Sequence, residues 1–219
     1  MKNIRTLVVA AACSVAMAST ASGQLGRQMG LVDPNFVADS TLSALPYMTP
    51  AIVQAIKDAR PILSVVTLDS LLNALQVGKP QRDSLYRKMF IHVDLNRGTD
   101  AEFLLIPGAG PRMLREFKEY RPWTSFEQFG REIAKYVRGT PGEVERLEQY
   151  MFIAIDINTA SDSLVATFAP IGVGTRRWIR EFAEYRPWTS QEQFAREIGK
   201  YVRNNPKEVT RLWRYVVIK

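Results

Sequence analysis

The stretch IPGAGPRMLREFKEYRPWTS, Ile106 to Ser125, returns slightly lengthened as PIGVGTRRWIREFAEYRPWTS, Pro170 to Ser190. In both copies a Gly-x-Gly turn between apolar residues opens a basic, amphipathic helix. Met113, Leu114, Phe117 and Tyr120 fall on one face of the first copy, and Arg112, Arg115, Glu116 and Lys118 mostly on the other. A Tyr-Arg-Pro-Trp corner ends the helix, because the residue before a proline is pushed out of the helical region. A glycine turn at a helix N-terminus leaves backbone N–H groups without intrahelical acceptors. The partial positive charge there suits a phosphate oxygen or another acceptor.

A second signature recurs three times: Asp33-Pro34-Asn35, Asp94-Leu95-Asn96 and Asp156-Ile157-Asn158. The spacings are 94 − 33 = 61 and 156 − 94 = 62 residues. Between the first two copies the register holds without a gap. Pro46 matches Pro107, Arg60-Pro61 matches Arg121-Pro122, and Ser64 matches Ser125. The third copy carries extra residues before Gly172. The chain therefore divides into units at 31–90, 91–154 and 155–219, behind a lead-in at 24–30. Each unit reads as a set of short helices. Thr99 and Glu102 form a capping box, Ser125 and Gln128 cap the helix after the proline corner, and Thr140-Pro141-Glu143 and Asn205-Pro206-Glu208 cap later ones. Each unit closes in a β-prone run, Phe90–Val93, Phe152–Ile155 and Val216–Ile218, expected as brief strands or extended links.

The 219 residues are 46% hydrophobic and 23% charged, a globular composition. Lys2 and Arg5, the apolar run Leu7 to Met17 and the small residues ending at Gly23 read as an export signal cleaved near Gly23. The expected location is outside the cytoplasmic membrane, periplasmic or at the cell surface. The run is short for a bilayer span, and no other stretch is long enough. Cys13 is the single cysteine, so the mature chain has no disulfide and no thiolate ligand. Net charge is +7, or 7 − 2 = +5 without Lys2 and Arg5, which permits an anionic partner without demanding one. His92 is the lone histidine; a metal site needs more ligands, and no Ser-His-Asp set, P-loop or dinucleotide fingerprint assembles. No catalytic residue, metal, cofactor or small-molecule substrate is expected.

Ile155-Asp156-Ile157-Asn158-Thr159-Ala160, the apolar helix after it, Ile171-Gly172-Val173-Gly174 and Glu184-Tyr185-Arg186-Pro187 together resemble the helix-hairpin-helix domain of ComEA-like competence proteins. The related domain in the K subunit of type II secretion systems is similar. The resemblance is strongest in the third unit, good in the second and faint in the first. It implies an all-α fold of three tandem double helix-hairpin-helix units with very short extended links. It also implies non-enzymatic, sequence-independent binding of duplex DNA, in which hairpin amides take phosphates and nearby cations add charge. Carried over residue by residue, the site is Gly108, Gly110, Arg112 and Arg115 in the second unit. In the third it is Gly172, Gly174, Thr175, Arg176, Arg177 and Arg180. The first unit has Tyr47 and Thr49 where the glycines belong, so it is expected to be structural or partner-binding. The second hairpins, Val77-Gly78-Lys79-Pro80, Arg138-Gly139-Thr140-Pro141-Gly142 and Arg203-Asn204-Asn205-Pro206, do not keep the glycine pattern.

The glycines close tight helix–helix turns whether or not a ligand binds. Trp123 and Trp188 are expected in the core behind the corner. Trp178, just after the hairpin, offers an exposed interface anchor, and with Trp213 and Tyr215 it belongs to the third unit alone. Glu116, Glu119, Glu181 and Glu184 share helices with the arginines, which equally describes an ordinary solvated face. The alternative to DNA is therefore a structural subunit of an envelope or membrane-associated complex that docks other proteins.

Overall fold

The computed structural model of the chain describes residues 30–168 and 173–219. The export segment, most of the lead-in and the turn glycine Gly172 lie outside the described residues. The first repeat contains α1 (Asp39–Ser43), α2 (Pro50–Ala59), α3 (Val65–Ala74) and α4 (Lys79–Leu85). The second runs β1 (Val93–Asp94), α5 (Asp100–Leu104), α6 (Pro111–Glu119), α7 (Phe126–Ile133), α8 (Glu143–Glu148) and β2 (Met151–Phe152). The third runs β3 (Ile155–Asp156), α9 (Asp162–Ala166), α10 (Thr175–Glu184), α11 (Gln191–Gly199), α12 (Pro206–Trp213) and β4 (Val216–Val217). The described residues are mostly helical, with strands of two residues each.

The extended runs join the entrance of each repeat to its own exit. β1 pairs in parallel with β2, Val93 opposite Met151, and β3 with β4, Ile155 opposite Val216. In the first repeat the same closure shrinks to a single parallel bridge, Val32 to Met89. Parallel strands need a crossover between them, and the four helices of the repeat are that crossover.

The two recurring signatures meet and lock each repeat. Asn96 N–H donates to Asp94 Oδ1 (2.9 Å), Trp123 N–H donates to Asn96 Oδ1 (2.7 Å), and Asn96 Nδ2 donates to the Trp123 carbonyl (2.9 Å). Asn35 binds Ile62, and Asn158 binds Trp188, in the same two-bond manner. The corner arginine closes the other side. Arg121 Nε donates to Leu95 O (2.8 Å) and Nη2 to Gly98 O (2.9 Å). Arg60 and Arg186 make the equivalent pairs with Pro34 and Val37, and with Ile157 and Ala160. The Arg-Pro bond is cis in all three copies. The sixty-residue periodicity is thus the spacing of a clamp. Asn96→Ala would leave a donor and an acceptor of buried Trp123 unpaired, and is expected to lower stability by about 2–3 kcal/mol in urea unfolding. A loss below about 0.5 kcal/mol, the usual size for a neutral surface change, would deny the clamp that role.

Local capping follows the sequence with two corrections. Ser64, Ser125 and Ser190 each accept from the N–H three residues on, and Thr99 with Glu102 forms its reciprocal box. Gln128 Oε1, however, accepts from Thr124 rather than Ser125. Asn205 caps α12 with Pro206 at its first position, but Thr140 does not cap α8. That helix starts later, at Glu143, behind Gly142 with φ +78°. The left-handed Gly139 and Gly142 let the chain turn once more before the helix begins.

The first two repeats share one continuous apolar core, and the third has its own. Trp123 and Trp188 fill the space behind their corners, each sending its indole N–H to a carbonyl of the preceding helix, Phe117 O and Phe182 O. Trp178 is not an exposed anchor. It is fully buried, and its indole N–H donates to Val165 O (3.0 Å). Its place on the inner face of α10, four residues before Phe182, explains why.

A polar junction ties the repeats together. Arg97 Nε binds Asp94, while its two terminal nitrogens donate to the Arg214 and Val216 carbonyls of the third repeat. Arg214 Nη2 donates to His92 O (3.0 Å). Arg211 lies over the Phe36 ring of the first repeat at 4.5 Å. His92 is buried, its Nδ1 4.0 Å from Asp33 Oδ2. Burial holds the His92 imidazole below its ordinary pKa and raises the Asp33 carboxyl.

Candidate functional site

The second repeat's hairpin is built by two glycines with different duties. Gly108 has φ +84°, the left-handed region, and a Cβ there would lie 2.9 Å from Arg146 Nη2. The conformation favours glycine, and a larger residue would also have to displace the end of the Arg146 side chain. Gly110 is the N-cap of α6 with φ −87° and nothing within 4 Å of a Cβ position, so its backbone does not require glycine. What its missing side chain does is leave the helix end uncapped. Ala109 N–H is used, donating to Ile106 O (2.9 Å). The N–H groups of Gly110, Arg112 and Met113 have no acceptor among the described residues. Gly110, Pro111 and Arg112 are exposed.

The first repeat keeps the turn and closes the site. Tyr47 takes the left-handed conformation of Gly108, with φ +64°. Thr49, in the place of Gly110, accepts from Ile52 N–H with its hydroxyl (3.3 Å). Loss of the glycines thus preserves the hairpin and fills the helix end from within.

In the third repeat α10 begins at exposed Thr175 behind Gly174, again without a side-chain cap and with no Cβ obstruction. The lengthened copy adds its residue here: α10 has ten residues and α6 nine. Arg176, Arg177 and Arg180 are exposed. Gly172 lies outside the described residues, so the turn itself is not placed.

The arginines are not equivalent. Among the described residues Arg112, Arg115 and Arg176 make no ion pair. Arg180 Nη2 donates to Glu181 Oε1 (2.8 Å), and Arg177 Nε lies 3.9 Å from the same oxygen while its guanidinium sits over the Tyr201 ring at 5.2 Å. Tyr201 donates its hydroxyl to Glu181 Oε2. The Arg180 bond, then Tyr201, holds the Glu181 carboxyl below the usual range. Its counterpart Glu116 is likewise buried, but Glu116 Oε2 has no partner among the described residues. Tyr120 and Tyr136 hydroxyls are 2.9 Å apart beside it. That pairing, then Glu116, raises the Tyr136 pKa.

Two features escaped the sequence. Arg146, bound through two nitrogens to Glu143 (2.6 and 2.7 Å), backs the Gly108 turn. The Glu–Tyr–Tyr clusters of α6 and α10 were visible only as a coincidence of spacing, since 181 − 116, 185 − 120 and 201 − 136 all equal 65. That shared offset was the available signal.

Elsewhere, a cleft of about 250 Å³ lies between Arg97 and Trp213, but the donors of Arg97 are already committed to protein acceptors. Among the described residues no group of three or more His, Cys, Asp or Glu could hold a metal ion, and no helix is long and apolar enough to cross a membrane. Comparison with known proteins finds no matching family model, no similar curated protein and no similar solved structure.

Proposed function

We propose that this chain is an exported, non-enzymatic protein of three tandem helix-hairpin-helix units that binds duplex DNA without regard to sequence. The contacts are the N-terminal amides of α6 and α10 with Arg112, Arg115, Arg176, Arg177 and Arg180 around them. The observation that carries this reading is the contrast between the repeats. Thr49 caps α2 internally, whereas α6 presents uncommitted amides beside two arginines without ion-pair partners. Such an end attracts an anion through both its amides and its dipole. Export rests on the N-terminal charge and apolar pattern alone.

The test copies the first repeat into the other two. Gly110→Thr with Gly174→Thr places a neutral capping hydroxyl at each helix end, where a Cβ meets nothing within 4 Å. Capping is expected to stabilise the fold by up to about 1 kcal/mol. Affinity for a mixed-sequence duplex at low salt is expected to fall at least about tenfold, with a shallower salt dependence. Unchanged duplex affinity in the capped variant, or no retardation of duplex by the unaltered chain, overturns the reading. A protein-docking role is the competing reading. It is favoured by Tyr47 and Leu104, large apolar side chains exposed beside the turns of the first two repeats.

A further inference from the structure

Glu181 and Glu116 occupy the same place in two copies of one helix, yet the arginines around them stand in different arrangements. Counted from the Tyr-Arg-Pro-Trp corner, Arg177 corresponds to Arg112, Arg180 to Arg115 and Glu181 to Glu116, each 65 residues apart. Both glutamates are buried, 6% and 8% exposed. Around Glu181 the device is engaged: Arg180 and Tyr201 bond to its two oxygens, and Arg177 is drawn over Tyr201 toward it. Around Glu116 only the tyrosine part remains: Tyr136 interacts with the carboxyl, Oε2 has no partner among the described residues, and neither arginine makes an ion pair there. A buried carboxylate oxygen gains from a donor, and at Glu181 that donor is Arg180, one residue before it. The first repeat has Ala51, Gln54 and Ala55 at these positions and no such device.

Resting on the duplex-binding reading, we propose that Glu181 is an internal competitor of phosphate, which holds Arg177 and Arg180 until an anion at the α10 terminus draws them away. Arg112 and Arg115 make no such bond, so the α6 helix end is the standing site and the α10 helix end, from Gly174 on, the restrained one. A guanidinium satisfied by a carboxylate must give up that charge-assisted bond before it can grip a phosphate. Each phosphate contact withheld also lowers the number of counterions released on binding.

Glu181→Gln keeps the shape and the Tyr201 partner and removes the charge. Glu184→Gln, on the same helix and exposed, adds the same net charge without touching the device. With the full chain and a mixed-sequence duplex, Glu184→Gln is expected to tighten binding about twofold. Glu181→Gln is expected to tighten it about tenfold and to steepen the slope of log affinity against log salt by about one to two. Equal tightening by both variants overturns the proposal. If the unaltered chain binds no duplex, the duplex reading falls by itself. Inorganic phosphate then judges the competitor, since Glu181→Gln must bind it more tightly than Glu184→Gln, and equal affinities overturn the proposal. Should Glu181→Gln fail to fold, guanidinium rotation by NMR in the unaltered chain decides. Slow rotation of Arg180 beside fast rotation of Arg115 supports the restraint, and equal rates overturn it.

Discussion

Trp178→Ala lowers the unfolding free energy by about 3–5 kcal/mol, the range for emptying a large aromatic site in a closed core. The ring is fully buried, edge-on to Phe168 at 5.7 Å and tilted against Phe182 at 5.3 Å. Truncation leaves a void and also removes the donor that Val165 O accepts. Arg176→Ala, two residues earlier on the exposed side, is expected to stay within about 0.5 kcal/mol. Urea unfolding followed by circular dichroism separates the two. A Trp178→Ala loss as small as that of Arg176→Ala would return the ring to the surface, where the sequence offered it as an anchor. The consequence for the site is direct, because Trp178 pins the first turn of α10 against α9 and so sets where the amides ahead of it point.

Arg211→Ala has an effect of similar size, about 3–5 kcal/mol, because it removes a fully buried guanidinium and strands the half-buried Glu208 carboxylate. Arg211 is 1% exposed and holds Glu208 through Nε (2.8 Å) and Nη2 (2.7 Å). Its guanidinium faces Phe36, so the same side chain binds the third repeat to the first. Replacing the pair together, Arg211→Met with Glu208→Gln, is expected to cost much less, since no charge is stranded. Thermal and urea unfolding of both variants check this. Equal losses for the single and the paired replacement would mean that packing, not charge, is what Arg211 contributes.

The periodic parts of this protein were the legible parts. Helix caps at Ser64, Ser125, Ser190 and Asn205 follow from side-chain oxygens able to reach an N–H two or three residues away, a purely local geometry. One cap error arose where a left-handed residue redirected the chain, at Gly142 before α8. The aromatic residues behind the corners were placed inward correctly. Trp178 was not, because adjacency to a turn says nothing about which side of the following helix faces the core. The β-prone runs were located, but their partners were not, since a parallel pair between residues about sixty apart leaves no local mark.

The candidate site divides in the same way. The glycines, the arginines and the loss of both glycines in the first repeat could all be read along the chain. That Tyr47 still adopts the turn while Thr49 fills the helix end is a three-dimensional fact. So is the difference between Arg115 and Arg180, identical letters in nearly identical helices, one without an ion pair and one bound to Glu181.

By itself the sequence determined that a sixty-residue unit recurs three times, where the helices capped by Thr99, Ser125 and Asn205 start, and which helix ends lack a capping side chain. Those properties depend on residues within a few positions of one another. Only the tertiary structure decided what the recurring Asp-x-Asn and Arg-Pro signatures are for, which tryptophans are enclosed, and how Asp33, His92, Arg97, Arg211 and Arg214 join the repeats. Hydrogen bonds and burial between residues tens of positions apart depend on where the chain returns in space, and spacing along it does not encode that.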